Sequence, residues 1–208
     1  MSTNENVKTR LTRPALITWS LITMGLTMLA ACTATLPQAR LTERIDERTG
    51  ITITTLDRPL EFFAPLPEQG IDAASFADLG LAEANRMGTR TYYLWISVLW
   101  GRSDAKRPQV PQPTSITIDL GTTSLGFEIT RRVDPPVGTP LYSPPAQWSD
   151  EFVFPLTIDQ VRAIAHAPTF ALAIATQAGA PRSFILWKAP TESLPMFADQ
   201  LLEGMSAR

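Results

Sequence analysis

Few residues in this sequence have the type and spacing that chemistry requires. A serine–histidine arrangement could use only His166, the sole histidine, and the loops that cradle phosphates have no counterpart. Ser124 comes nearest to a nucleophile elbow, but Thr122 occupies the place of the first glycine. His166 follows an apolar helical pattern and precedes Pro168, so it reads as a helix-end residue set against the last carbonyls. Metal ligation is equally poor in donors: Cys32 is the one cysteine, and no calcium-loop spacing occurs. Asp46-Glu47 and Asp150-Glu151 are adjacent carboxylates. Strand neighbours point to opposite faces, so neither pair is an acid–base couple. These absences predict a non-enzymatic chain with no metal and no cofactor. Aromatic residues are the remaining candidates. Tyr92, Trp95 and Trp100 crowd one segment, Trp148 adjoins a proline-rich loop, and Trp187 lies near the C-terminus. They are the candidate contacts for a ligand or partner.

Cys32 has its own context. Lys8, Arg10 and Arg13 precede an uncharged apolar run from Ala15 to Ala31, which ends at Leu29-Ala30-Ala31-Cys32. A basic leader, a short apolar stretch and small residues before a cut site describe a secretory signal. The tetrad resembles the lipobox of bacterial lipoproteins. That resemblance implies diacylglyceryl transfer to the Cys32 sulfur, removal of residues 1–31 and acylation of the new amino group. Thr33, rather than Asp, follows the cysteine, which in that family implies the outer membrane, with the domain facing the periplasm. The acyl chains would be the membrane partner, each buried methylene contributing about 0.8 kcal/mol.

Processing changes the charge. The chain has 18 basic and 20 acidic side chains; losing Lys8, Arg10, Arg13 and Glu5 leaves 15 and 19, a net −4. A mildly acidic body without a basic run is a poor match for a phosphate backbone, so no nucleic acid is expected. With the cysteine committed to a thioether, no disulfide remains to stabilise the fold, and burial alone must do so. Residues 32–208 suffice for one core.

The elements that must position these residues are mainly strands. Residues 32–49, small and polar and then mixed in charge, read as a lipidated tether, and residues 50–208 as a single domain. Ile51 and Ile53 alternate with Thr52 and Thr54, the period of a half-buried strand. Asp57-Arg58-Pro59 is a turn signal, and Leu60 to Phe63 a short strand. Residues 71–88 are ambiguous: alanines permit a helical turn, while Gly80, Gly88 and Asn85-Arg86 argue for a loop. Thr91 to Trp100 is the strongest strand, apolar on both faces and hence central. Ile116–Leu120 and Leu125–Ile129 flank Gly121 as a hairpin. Five prolines between Val133 and Trp148 make a loop. Phe152, Phe154 and Leu156 resume a strand. Thr157 and Gln160 form a capping box, with Leu156 and Val161 as its hydrophobic staple. Strands at 170–175 and 183–188 follow, and a last helix begins near Ser193 with Pro195 in its first turn and Gly204 stopping it.

This pattern predicts a mainly β (α+β) fold: an antiparallel sandwich or partly open barrel of seven to nine short strands with two packed helices. Asn85-Arg86-Met87-Gly88 followed by Tyr92-Tyr93-Leu94-Trp95 resembles a stretch of uncharacterised proteobacterial lipoproteins, a likeness that implies no activity. The expected role is a membrane-anchored interaction module with an envelope protein partner. The alternative is a carrier or sensor of an apolar ligand, held in a cavity lined by Trp95, Trp100 and Trp187.

Overall fold

In a computed structural model, residues 40–66, 70–101, 112–129, 135, 137–147, 149–177, 179–188 and 193–206 are described. The leader, Cys32 and Trp148 lie outside these residues, so their readings are carried by the sequence. Ten strands make one antiparallel sheet: β1 (Leu41–Asp46), β2 (Ile51–Leu56), β3 (Leu60–Leu66), β4 (Gly70–Arg86), β5 (Thr89–Leu99), β6 (Pro113–Asp119), β7 (Ser124–Glu128), β8 (Asp150–Leu156), β9 (Ala171–Thr176) and β10 (Gly179–Lys188). Two helices pack on it, α1 (Ile158–Ala165) and α2 (Ser193–Ser206). The fold is mainly β, as its alternating sequence predicts, with one strand more than the upper expectation among the described residues.

The organising strand is β4, 17 residues long, in the stretch that reads as ambiguous. One edge pairs with β5 along its upper length, from Phe76↔Leu99 to Arg86↔Thr89. The other edge is shared by β2 and β3, which follow one another along it. Between Thr55↔Ala82 and Leu60↔Leu79 the chain advances five positions while β4 advances three. The two extra residues belong to the Asp57-Arg58-Pro59 segment, where proline has no N–H to give a ladder. The turn signal therefore interrupts one long strand path instead of reversing it. The interruption forks the sheet: β1 pairs with the far edge of β2, and β10 with the far edge of β3, leading on to β9, β6 and β7.

The sheet curls around a core drawn from one face of nearly every strand. Phe62, Leu79, Leu94, Ile96, Ile116, Ile118, Leu172, Ile174 and Phe184 are all essentially inaccessible. The curl brings the two ends of the strand order together without backbone pairing: the Phe127 ring of β7 lies 4.9 Å from the Phe154 ring of β8. This is a partly open barrel rather than a sandwich. Helix α1 starts at the expected capping box, with the Thr157 side chain accepting from Gln160 N and the Gln160 side chain accepting from Thr157 N. Its Val161 and Ile164, together with Leu194 and Phe197 of α2, complete the core. The second helix runs two residues past Gly204, which does not stop it.

Leu41–Asp46, within the segment read as a tether, form β1. The β6–β7 hairpin is as expected, with Gly121 at φ +82° in its turn, a conformation that glycine alone adopts readily.

A second apolar cluster lies on the outer face. Ile51, Ile53, Ala82, Ala84, Tyr93 and Trp95 are covered there by Leu141 and Tyr142 of the proline-rich loop. That loop is pinned down. Tyr142 Oη donates to Leu81 O at 2.6 Å and accepts from Leu56 N at 3.1 Å. Both backbone groups sit beside the fork, so the phenol replaces ladder hydrogen bonds that the interruption removes. Asp46 holds the same loop from the β1 side. It accepts from the Thr49 hydroxyl and from the N–H groups of Gly138 and Arg48. The Thr49 hydrogen bond, then that from Gly138, keeps its carboxyl below the ordinary range.

Candidate functional site

Strand parity sorts the predicted aromatics onto different surfaces. Tyr92 and Trp100 face the inner core, where the Trp100 ring meets Phe184 at 6.3 Å. Trp95 is on the outer face, stacked on Tyr142 at 5.0 Å. Trp187 is on the outer face of β10 and 54% exposed. Trp95, Trp100 and Trp187 therefore do not line one cavity, and the inner face is occupied by Phe62, Phe184, Phe197 and their neighbours. Asp150 and Glu151 do point to opposite faces: Trp100 Nε1 donates to Asp150 Oδ2 at 2.9 Å, and Trp95 Nε1 to Glu151 Oε2 at 3.0 Å. His166 is exposed at the C-terminal end of α1, its N–H bonded to Arg162 O.

Trp187 belongs to a set of residues that only the register brings together. The cross-strand row Ile185↔Phe63↔Phe76↔Leu99 runs over β10, β3, β4 and β5. Trp187 leans on it, 6.3 Å from the Phe63 ring and 5.9 Å from Phe76. Ile185, 52% exposed, ends the row. The next row of the same face is polar and crosses five strands: Lys188↔Glu61↔Asp78↔Ser97↔Glu151. Three carboxylates share it with one ammonium. Lys188 Nζ lies 3.0 Å from Glu61 Oε2 and 4.2 Å from the centre of the Trp187 ring.

No family model, curated protein or solved structure matches the chain. The chemistry of this face must therefore be read from its own residues.

Asp78 is half-buried, and burial pushes its carboxyl up to about 6. The nearby Glu61 charge adds to the rise and Lys188 opposes it. Beside it Ser97 is fully buried, and its Oγ has no hydrogen-bond partner. Among the described residues no three His, Cys, Asp or Glu side chains converge tightly enough for a metal ion. Carboxylates in a row beside an indole that already carries the Lys188 ammonium suit an organic cation instead, which gains from charge and from the ring quadrupole together.

An open groove of about 560 Å³ also lies across β6, β7, β9 and β10, lined by Thr117, Ser124, Ala173 and Ser183. Its carboxylate, Asp119, accepts from Gly121 N in the hairpin turn. Among its described lining residues Asp119 is the one titratable side chain.

Of the expected contacts among the described residues, Trp187 lies beside the acidic face and Trp95 reaches it through Glu151. Glu61, Asp78 and Ser97 were not singled out from sequence. Ser97 carried a signal, because it is the one residue between Tyr92 and Trp100 whose side chain is neither aliphatic nor aromatic, in a strand apolar on both sides.

Asp78 gives a pH prediction. Its folded-state value is above the ordinary 3.8, so folding favours the protonated form. The associated stability is present below about pH 4 and is lost as pH rises through about 6. Asp78→Asn should then stabilise the domain at pH 7 by about 1.5 kcal/mol, a figure discounted for solvent screening. The gain should shrink towards zero at pH 4. Urea unfolding of both proteins across this range is the measurement, and a gain that does not vary with pH would refute it.

Proposed function

We propose that the chain is a bacterial envelope lipoprotein precursor, anchored through acyl chains on Cys32, whose β-rich domain is a non-enzymatic interaction module. The observation that carries the anchor is Leu29-Ala30-Ala31-Cys32 at the end of an uncharged apolar run behind a basic leader. No helix among the described residues is long and apolar enough to cross a membrane. The module reading is supported by Trp187 and Ile185, large apolar side chains more than half exposed on one sheet face. Outer-membrane placement facing the periplasm rests on Thr33 after the cysteine.

Intact-mass analysis with membrane fractionation tests the anchor. The native chain should lose residues 1–31, gain acyl mass and sediment with outer membranes. Cys32→Ser should keep its leader and gain none. A bare thiol at Cys32 in natively expressed protein would overturn the assignment. Photo-crosslinking from exposed sheet positions in intact cells tests the module; no specific adduct from any position would refute it.

A further inference from the structure

We propose that the outer face of β10, β3, β4 and β5 docks a basic, apolar-bearing segment of a partner protein. A lysine or arginine would enter beside Asp78 while apolar side chains cover Trp187 and Ile185. This rests on the interaction-module reading and names the partner chemistry that the module would take.

Four features converge on that occupant. Ile185 and Trp187 are exposed, and Phe63, Phe76 and Leu99 continue the apolar row beneath them. Alongside, Glu61, Asp78 and Glu151 face only Lys188 as a counter-charge within their row. The Ser97 hydroxyl lies in that row between Asp78 and Glu151, buried and without a hydrogen-bond partner, so the row stays polar beneath the surface that the segment would cover. Lys188 shows on a small scale what the surface recognises. Its ammonium sits over the Trp187 ring and against Glu61, the aromatic-plus-carboxylate geometry of ammonium binding. One position along the row, Asp78 feels the Lys188 charge but makes no ion pair among the described residues. Burial penalises its charged form, and an arriving cation would relieve that penalty.

Other occupants fit less well. Anionic lipid headgroups would meet three carboxylates. A second copy related by a two-fold axis would set the same acidic row against itself.

The test uses the full-length chain in a neutral detergent and two amidated, acetylated heptapeptides, one alternating lysine with leucine and one alternating glutamate with leucine. The basic peptide should bind saturably by calorimetry and the acidic one should not. Asp78→Asn and Trp187→Ser should each weaken binding at least tenfold. Trp187 is exposed, so its variant reports on docking even if the first variant perturbs the fold. Saturating basic peptide should lower the Asp78 titration midpoint, read by carboxyl ¹³C NMR, by about one pH unit, the linkage equivalent of a tenfold preference for the ionised form. Equal binding of both peptides, or undiminished binding by Asp78→Asn and Trp187→Ser, would overturn the proposal. So would a Trp187-dependent dimer in sedimentation, or quenching of Trp187 by brominated phosphatidylglycerol vesicles without peptide binding. Failure with the peptides removes this face alone. The module reading falls only if crosslinking from every exposed face captures nothing.

Discussion

Replacing Tyr142 by phenylalanine should cost about 3 kcal/mol of folding stability, a large effect for the loss of one oxygen atom. The phenol donates to Leu81 O and accepts from Leu56 N, and both backbone groups are buried beside the interruption between β2 and β3. Phenylalanine keeps the ring over Trp95 but leaves an N–H and a C=O without partners. Each such buried group costs about 1–3 kcal/mol. Burial pushes the phenol's ionisation upward, so it remains a neutral donor throughout the working pH range. Tyr142→Ala should cost more, about 5 kcal/mol, because a cavity above Trp95 adds to the unpaired groups. Urea unfolding measures both. If Tyr142→Phe cost less than about 1 kcal/mol, water would have to reach the fork, and the loop would not be its brace. Hydrogen exchange should locate the damage: Leu56 N–H should lose protection in both variants before the β5 amides do.

The elements legible from sequence are those whose pattern is local. In β5, Leu94, Ile96 and Val98 alternate with Tyr93 and Trp95, and period two requires no knowledge of a partner. The capping box of α1 and the Gly121 hairpin are set by residues three or four apart. Strand β4 was hidden because its outer positions, Gly80, Ala82 and Ala84, are small enough to lie under the Tyr142 loop or in the second apolar cluster. Small residues blur alternation, and the side chains that explain them lie some sixty positions away. Strand β1 inverts the usual pattern: Asp46 is buried and Ile45 is 68% exposed. Hydrogen bonds from Thr49, Arg48 and Gly138, not hydropathy, fix that face.

The acidic face was illegible for a different reason. Glu61, Asp78, Ser97 and Glu151 come from four strands, and their meeting depends on three registers that no single segment encodes. Shifting one strand by a residue would turn its member to the inner core. By contrast, the separation of Trp95 from Trp100 was available from parity alone. Five positions along a strand place two side chains on opposite faces. A cavity lined by both was therefore at odds with the strand assignment that suggested it.

The same close approach makes Gly80→Ala a sharp probe of the fork. A Cβ built on Gly80 would overlap the Cε2 and Cζ atoms of Tyr142. The ring cannot simply swing away, because its hydroxyl is held by two backbone groups and its face is stacked on Trp95. Overpacking of this kind usually costs about 1–3 kcal/mol, and the rigid neighbour puts the expectation near the upper end, at about 3 kcal/mol. In a Tyr142→Ala background the obstacle is gone. The added methyl then fills part of the vacated space, and alanine gives up less backbone entropy than glycine in a strand, so the substitution should be neutral or stabilising by about 0.5 kcal/mol. The double-mutant cycle should accordingly show a coupling of about 3 kcal/mol between positions 80 and 142. Additive effects would mean that the loop can lift from β4 at little cost. In that case the proline-rich segment would be a mobile excursion, not the clamp that holds the divided strand path together.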